Sequence, residues 1–167
     1  QIDTMSSIAE AFSNYAKMPA QQDETLNVVK ITKLALDIFN EDYIEFHSEE
    51  EEIIAKFDRT QLIRVVTNLV KNSIQAIEQA KPEIPLIKVI VSAEDKFVSI
   101  SICDNGLGIS ENNKEKVFEP KFTTKSSGMG LGLAMVKNIV ETYGGIITLK
   151  SEEGKGATFT VRFKRQL

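Results

Sequence analysis

A chain of 167 residues can bury one good core, with at most a short appendage beside it. Apolar content of 42% and charged content of 26% are those of an ordinary soluble globular protein. The net charge of -4 excludes broad nucleic-acid binding, which needs a basic field, and no stretch approaches the roughly 18 consecutive apolar residues of a membrane span.

Residues 1 to 18, QIDTMSSIAEAFSNYAKM, follow an amphipathic helical stripe through Ile2, Met5, Ile8, Ala9 and Phe12, and Pro19 ends it. A helix of this kind with no partner inside the chain is a bundle helix that has lost its neighbours. The start at Gln1, without a signal-peptide pattern, points to a piece of a longer protein whose remainder could hold a membrane anchor. The polar stretch PAQQDET, residues 19 to 25, reads as a linker.

From Leu26 a compact domain begins. LNVV suits a short strand, ITKLALDIFN a helix, Tyr43 to Phe46 a strand, and IIAKF, residues 53 to 57, another. Between the last two lie His47, expected in a loop, and the acidic run Glu49 to Glu52, expected as a solvated turn. His47 has no second histidine or nearby cysteine, so neither a zinc site nor a Ser-His-Asp triad can be assembled.

Residues 58 to 80, DRTQLIRVVTNLVKNSIQAIEQA, form the longest uninterrupted helical pattern, and the rest of the chain is organised around it. Asp58 suits the N-cap, and Leu62, Val65, Val66, Leu69, Ala76 and Ile77 recur on one buried face. At roughly 35 Å such a helix crosses a whole sheet. A second stripe, Asn68, Asn72, Gln75 and Gln79, runs beside the apolar one. Asparagine is a poor choice in a helix interior, so something other than propensity placed two of them there. One reading is a solvated back. The other is a pair of neutral amide oxygens facing a ligand pocket, of the kind that suits a hard cation such as magnesium.

After Pro82 and Pro85 come LIKVIVSA and KFVSISICD, strands joined by a tight turn around Glu94 to Lys96. The single cysteine, Cys103, ends the second and is expected as a buried inert thiol in a reducing compartment. Residues 110 to 118 suit a short helix capped by Ser110, and residues 119 to 129 a loop with few apolar anchors. Leu131 to Tyr143 reads as a helix ended by Gly144-Gly145, and IITLKS and ATFTVRF as a closing hairpin. The order implies an α/β two-layer sandwich, a mixed sheet with helices on one face.

Three stretches after the organising helix bear chemistry. In Asp104-Asn105-Gly106-Leu107-Gly108-Ile109 a carboxylate emerges from an apolar strand, where it needs a donor such as a purine amine, and glycines allow close backbone approach; alone, the stretch is also a plain turn signal. Val117 to Lys125, VFEPKFTTK, holds two lysines and two threonines and alone reads as a surface loop. It precedes Gly128-Met129-Gly130-Leu131-Gly132-Leu133, a glycine-rich helix start that attracts phosphate. The G-x-G-x-G spacing is neither a dinucleotide fingerprint nor the GKS/T phosphate loop.

In this order and spacing, NLVKNSIQAI, DNGLGI, VFEPKFTTK and GMGLGLAMVKNIVETYGG resemble the asparagine, first glycine, phenylalanine and second glycine boxes of the sensor histidine kinase ATP-binding domain, in a nitrogen-regulation-type flavour. The likeness covers residues 26 to 167, and residues 1 to 18 resemble the end of the dimerisation and phosphoacceptor helix. The resemblance implies the Bergerat ATP-binding fold shared with type II topoisomerases, a heat-shock chaperone and mismatch-repair ATPases. Carried over by position, Asn68 and Asn72 would be the catalytic pair, Asn72 holding Mg2+ and Asn68 beside it near the phosphates of ATP. Asp104 would accept from the adenine amine, and Gly106 and Gly108 would shape its pocket. Residues 119 to 129 would form a lid with Lys125 as a phosphate contact, and Gly128, Gly130, Leu131 and Gly132 would cradle phosphate.

The implied activity is transfer of the γ-phosphoryl group to a histidine on a phosphoacceptor domain absent from this chain; His47 matches no phosphoacceptor motif. The implied partners are that domain and a downstream response regulator, and the implied place is cytoplasmic, with the parent open to anchoring in the inner membrane. Where many members have a basic residue this chain has Gln75, so phosphate charge must be met elsewhere, by Lys121 or Lys125. Two rivals stand beside the kinase: an ATP hydrolase of the same fold, and a nucleotide-sensing module without chemistry. The hydrolases are expected to place a water-activating glutamate where this chain has Asn68, an amide that takes no proton at neutral pH.

Overall fold

A computed structural model describes residues 20–120 and 132–167. The expected bundle helix at residues 1 to 18, most of the lid, Lys121, Lys125, Gly128, Gly130 and Leu131 lie outside the described residues. Strand β1 (Asp23–Asn27) leads into helix α1 (Val28–Leu36), followed by β2 (Ile44–His47), β3 (Ile54–Asp58), α2 (Arg59–Ala80), β4 (Ile87–Glu94) and β5 (Phe97–Asp104). Two 3-10 turns, Glu111–Asn113 and Lys116–Phe118, precede α3 (Gly132–Thr142), β6 (Ile146–Glu152) and β7 (Gly156–Lys164).

Five strands form a mixed sheet in the order β2-β4-β5-β7-β6, in which only β2 and β4 are parallel. Their alternation sorts one face inward: Val89, Val91, Ile100, Ile102, Phe159 and Val161 are buried in one core with the apolar faces of the three helices. On the opposite face stand Lys88, Ser99, Ser101, Thr160 and Arg162, partly or fully exposed. Among the described residues the helices therefore cover one face only, and no helix is long and apolar enough to cross a membrane.

Helix α2 begins where expected. Asp58 Oδ1 accepts from the Gln61 amide at 3.1 Å, satisfying an otherwise orphaned N–H. The helix stops at Lys81, which takes a left-handed conformation (φ 50°) and is followed by Pro82. Helix α3 ends on a Schellman motif: Gly144 has φ 68°, its amide donates to the Glu141 carbonyl, and the Gly145 amide donates to that of Val140.

Several elements differ from the sequence expectation. β1 starts inside the stretch read as a linker, because Asp23 to Thr25 pair antiparallel with Lys56 to Asp58, a partner set far away in sequence. Val28 and Val29 open α1 rather than close a strand, since the Asn27 side chain caps the Val29 amide at 3.1 Å. The helix expected at 110 to 118 is two 3-10 turns, and the Ser110 side chain makes no capping bond. His47 ends β2 instead of sitting in a loop, and its Nε2 lies 3.0 Å from Glu45 Oε1. Cys103 is only half-buried, because it points to the outer face of β5.

Candidate functional site

α2 brings the separate stretches together. Asn68 settles its place in the helix by donating from Nδ2 to the Arg64 carbonyl one turn back, at 2.8 Å, which turns Oδ1 outward. That oxygen faces the start of α3, where a Cβ built on Gly132 would stand 3.1 Å from it. One turn further along, Asn72 is half-buried on the same face, its Cβ roughly 5 to 6 Å from that of Asn68. Next to it, the Ser73 hydroxyl is fully buried, has no hydrogen-bond partner of ordinary geometry, and still favours the charged form of Asp104.

Asp104 is the last residue of β5, and its side chain is only 5% exposed. Burial pushes its carboxyl above the usual carboxylate range, while the Gly106 amide, the Ser73 hydroxyl and the Ala157 amide pull the other way. The Gly106 amide donates to Oδ1 at 2.9 Å, which closes a tight turn directly after the strand. A buried carboxylate held by a few amides, with its ionised form still disfavoured, has capacity to accept from one more donor.

The glycines of this turn have a protein-based explanation that the sequence did not show. A Cβ on Gly106 would stand 2.7 Å from the Ala76 carbonyl carbon and Cβ, so the turn lies directly on α2. Ala76, expected in the buried stripe, is only partly covered even with the turn on it. Gly108 has φ 72°, and a Cβ there would meet the Glu152 carbonyl oxygen at 2.1 Å. The turn is thus clamped on the β6-β7 hairpin as well: the Ile109 amide donates to Ser151 Oγ at 2.7 Å, and that hydroxyl donates to the Gly156 carbonyl at 2.8 Å. The side on which Cβ would stand faces protein at both glycines.

Asn68 and Asn72 thus lie on α2, Asp104, Gly106 and Gly132 each stand against that helix, and Gly108 packs on the hairpin behind the turn. Reading the sequence overlooked Ser73, Ser151 and Gly156; the last has φ 105° and a Cβ position 2.0 Å from the Asp104 carbonyl oxygen. The SEEGKG hairpin was the available signal, because so many small residues in a turn permit close packing. A cavity of about 540 Å³ opens between this turn, the 3-10 turns and the hairpin tip; its lining includes Gly108, Lys116 and Glu153 but not Asn68, Asn72 or Asp104.

The far end of α3 is tied down separately. Tyr143 stacks on Phe57 with centroids 3.8 Å apart, accepts from the Asp58 amide at 2.8 Å and donates to Asp23. Burial raises its phenol pKa, and the hydrogen bond to Asp23 raises it further. In this way β1, the N-cap of α2 and the C-terminus of α3 share one hydroxyl.

Residues 57–167 match the family described as histidine kinase-, DNA gyrase B- and HSP90-like ATPase. The sensor histidine kinase ZraS of Escherichia coli K12 is 40% identical over 157 residues, covering 83% of this chain and 33% of the relative. The nitrogen regulation protein NtrY of Azorhizobium caulinodans is 31% identical over 173 residues, covering 99% of this chain and 22% of that protein. The chain thus spans a third or less of the curated relatives it matches. Among solved structures, the nucleotide-free catalytic domain of histidine kinase ThkA superposes with a TM-score of 0.76 at 29% identity, covering 87% of this chain and 99% of that one. ThkA in complex with the response regulator protein TrrA gives a TM-score of 0.79 at 25% identity, over 99% of this chain and 48% of that one.

Proposed function

Because the chain belongs to the histidine kinase-, DNA gyrase B- and HSP90-like ATPase family, and its relatives are sensor histidine kinases, we propose that it is the ATP-binding catalytic domain of such a kinase. In this reading it delivers the γ-phosphoryl group of ATP to a histidine on a phosphoacceptor domain. One observation supports the reading most: α2 touches the buried strand-end carboxylate through Ser73, the turn after it through Ala76, and the glycine start of α3 through Asn68. A purine at Asp104 and phosphates at the head of α3 then lie along the same helix, about a turn and a half apart.

Asp104 accepts from the purine amine, and its burial keeps water from competing for the carboxylate. Ser73 offers a second polar group beside it. The head of α3 adds its positive dipole end and backbone amides to the phosphates, with Lys125, Gly128, Gly130 and Leu131 expected beside it. The donor chemistry fits Mg2+: Asn72 and Asn68 carry neutral amide oxygens, of the kind a hard cation accepts beside phosphates and water. When bound, the ion would neutralise phosphate charge, with Asn72 as its protein ligand. The rest is positioning. Asn68, whose Nδ2 is committed to the Arg64 carbonyl, provides no base to activate water, which favours the kinase over a hydrolase.

Residues 1 to 18 are then the end of the dimerisation helix and the stretch after Pro19 its connection to the domain, with β1 already part of the fold. A cytoplasmic location, and a response regulator as the next acceptor, follow from the same reading. The deciding experiment mixes the chain with a phosphoacceptor helix pair and labelled ATP. Acid-labile phosphate on the helix pair is the expected result; ATP hydrolysed to free phosphate with no labelled protein would point to the hydrolase.

A further inference from the structure

Asn105 follows the buried carboxylate and is itself exposed, yet its side chain is engaged at both ends. Its Oδ1 accepts from the Leu86 amide at 3.0 Å, and its Nδ2 donates to the Ile84 carbonyl at 2.7 Å. Its own amide donates to the Leu86 carbonyl at 3.4 Å. Ile84 and Leu86 belong to the stretch between α2 and β4, in which Pro82 and Pro85 have no N–H to offer, none of residues 82–86 is buried, and Ile84 is 78% exposed. Three hydrogen bonds from one residue tie this stretch to the end of β5.

The register explains what the side chain does. Ile87 of β4 stands opposite Asp104 and Ala157 of β7 flanks it on the other side, so the next pair along the β4-β5 ladder is Leu86 with Asn105. A hydrogen-bonded antiparallel pair exchanges two backbone bonds. Here one of them, from the Asn105 amide, is long, and the other runs to the Asn105 side chain instead of its carbonyl. A side-chain rung frees that carbonyl to leave the ladder, so the chain turns out of the sheet at this residue while the rung is kept. The two ladders fix the backbone of Asp104 but not its side-chain angle. That angle is held by the Gly106 amide, which donates to Oδ1 at 2.9 Å. The place of that amide depends on the backbone angles of Asn105, the one residue between them. Aspartate here would accept from Leu86 but could not donate to Ile84, and alanine would do neither.

We propose that Asn105 is a positioning residue for purine recognition: its amide clip holds the turn so that the Gly106 amide aims the Asp104 carboxylate at the exocyclic amine. The inference rests on the reading of Asp104 as the acceptor of that amine. Both ends of the Asn105 amide are taken by the stretch before β4, so the residue acts through Asp104 and not on the base. Being exposed, the clip adds little to overall stability, because water replaces its bonds when it is removed.

The test is calorimetric titration of the chain, with magnesium present, by ATP and by a purine nucleoside triphosphate carrying hydrogen in place of the 6-amino group. Wild type should prefer ATP by roughly 10–100-fold, the worth of one bond to a buried charged acceptor. Asn105→Ala should reduce that preference at least about fivefold, through weaker ATP binding alone, because the amine-free analogue makes no use of the carboxylate's aim. Unchanged affinity for the analogue also shows that the variant keeps its fold. In an Asp104→Ala background, Asn105→Ala should change ATP affinity by less than about twofold, since the group it positions is gone. A wild-type preference retained in Asn105→Ala overturns the proposal. So does an equal weakening of both nucleotides, or an undiminished effect of Asn105→Ala in the Asp104→Ala background. A wild type that binds the two nucleotides equally overturns the reading of Asp104 itself, and the proposal with it.

Discussion

Tyr143→Phe removes a single oxygen and leaves the ring, so the stacking on Phe57 survives and only the polar bridge is lost. Two consequences follow, of unequal size. The Asp58 amide, buried and bonded to the hydroxyl at 2.8 Å, loses its acceptor with no water to replace it. Leaving such a donor unsatisfied costs about 1–3 kcal/mol. Asp23 loses a donor too, but it is exposed, so water takes over and the added loss is small. The variant should therefore be less stable by about 2 kcal/mol, which for a chain of this size lowers Tm by roughly 4–8 °C. Asp23→Ala should be less stable by under about 1 kcal/mol, because it leaves the amide-to-hydroxyl bond in place. pH gives an independent check. The folded-state phenol pKa is raised above its unfolded value near 10, so the hydroxyl's contribution is complete below pH 10 and is lost as pH rises further. The stability gap between wild type and Tyr143→Phe, measured by urea denaturation, should thus be flat from neutral pH to about 10 and then close. If Asp23→Ala proves as damaging as Tyr143→Phe, or if the gap is absent at neutral pH, the buried amide is not what the hydroxyl satisfies.

Asp104→Ala should weaken ATP binding by roughly 10–100-fold in titration calorimetry, the worth of one hydrogen bond to a buried charged acceptor; an unchanged dissociation constant removes Asp104 from purine recognition. Asn72→Ala should abolish phosphoryl transfer to a supplied phosphoacceptor domain, and transfer at the wild-type rate would show that its amide holds no metal. Gly108→Ala combines a strained positive φ with a Cβ position 2.1 Å from the Glu152 carbonyl oxygen, and should destabilise by about 3 kcal/mol or more. Gly154→Ala, at φ 85° but with open space around its Cβ position, should lose only about 1 kcal/mol. Similar denaturation midpoints for the two alanine variants would show that backbone conformation alone, rather than packing of the turn on the hairpin, sets the glycine requirement.

The local signals were legible in the residues themselves. Strict alternation located β4, β5 and β7 because a sheet with one buried face imposes a period of two. Asp58 and Pro82 bracketed α2 because a cap and a breaker act on their own neighbours. The glycine pair after α3 read correctly for the same reason. The four ordered boxes were enough to identify the family. What the residues did not disclose depends on partners distant along the chain. Asp23 to Thr25 looked like linker because polar residues become a strand only when β3 lies beside them. Ser73 drew no notice in the sequence because only the fold sets it against Asp104 of β5. Gly106 and Gly108 suggested room for a ligand, whereas α2 and the β6-β7 hairpin occupy the space a side chain would need. Sequence determines what each residue can do with its immediate neighbours; only tertiary packing decides which remote atom stands within 3 Å of it, because that distance belongs to the fold and not to the spacing along the chain.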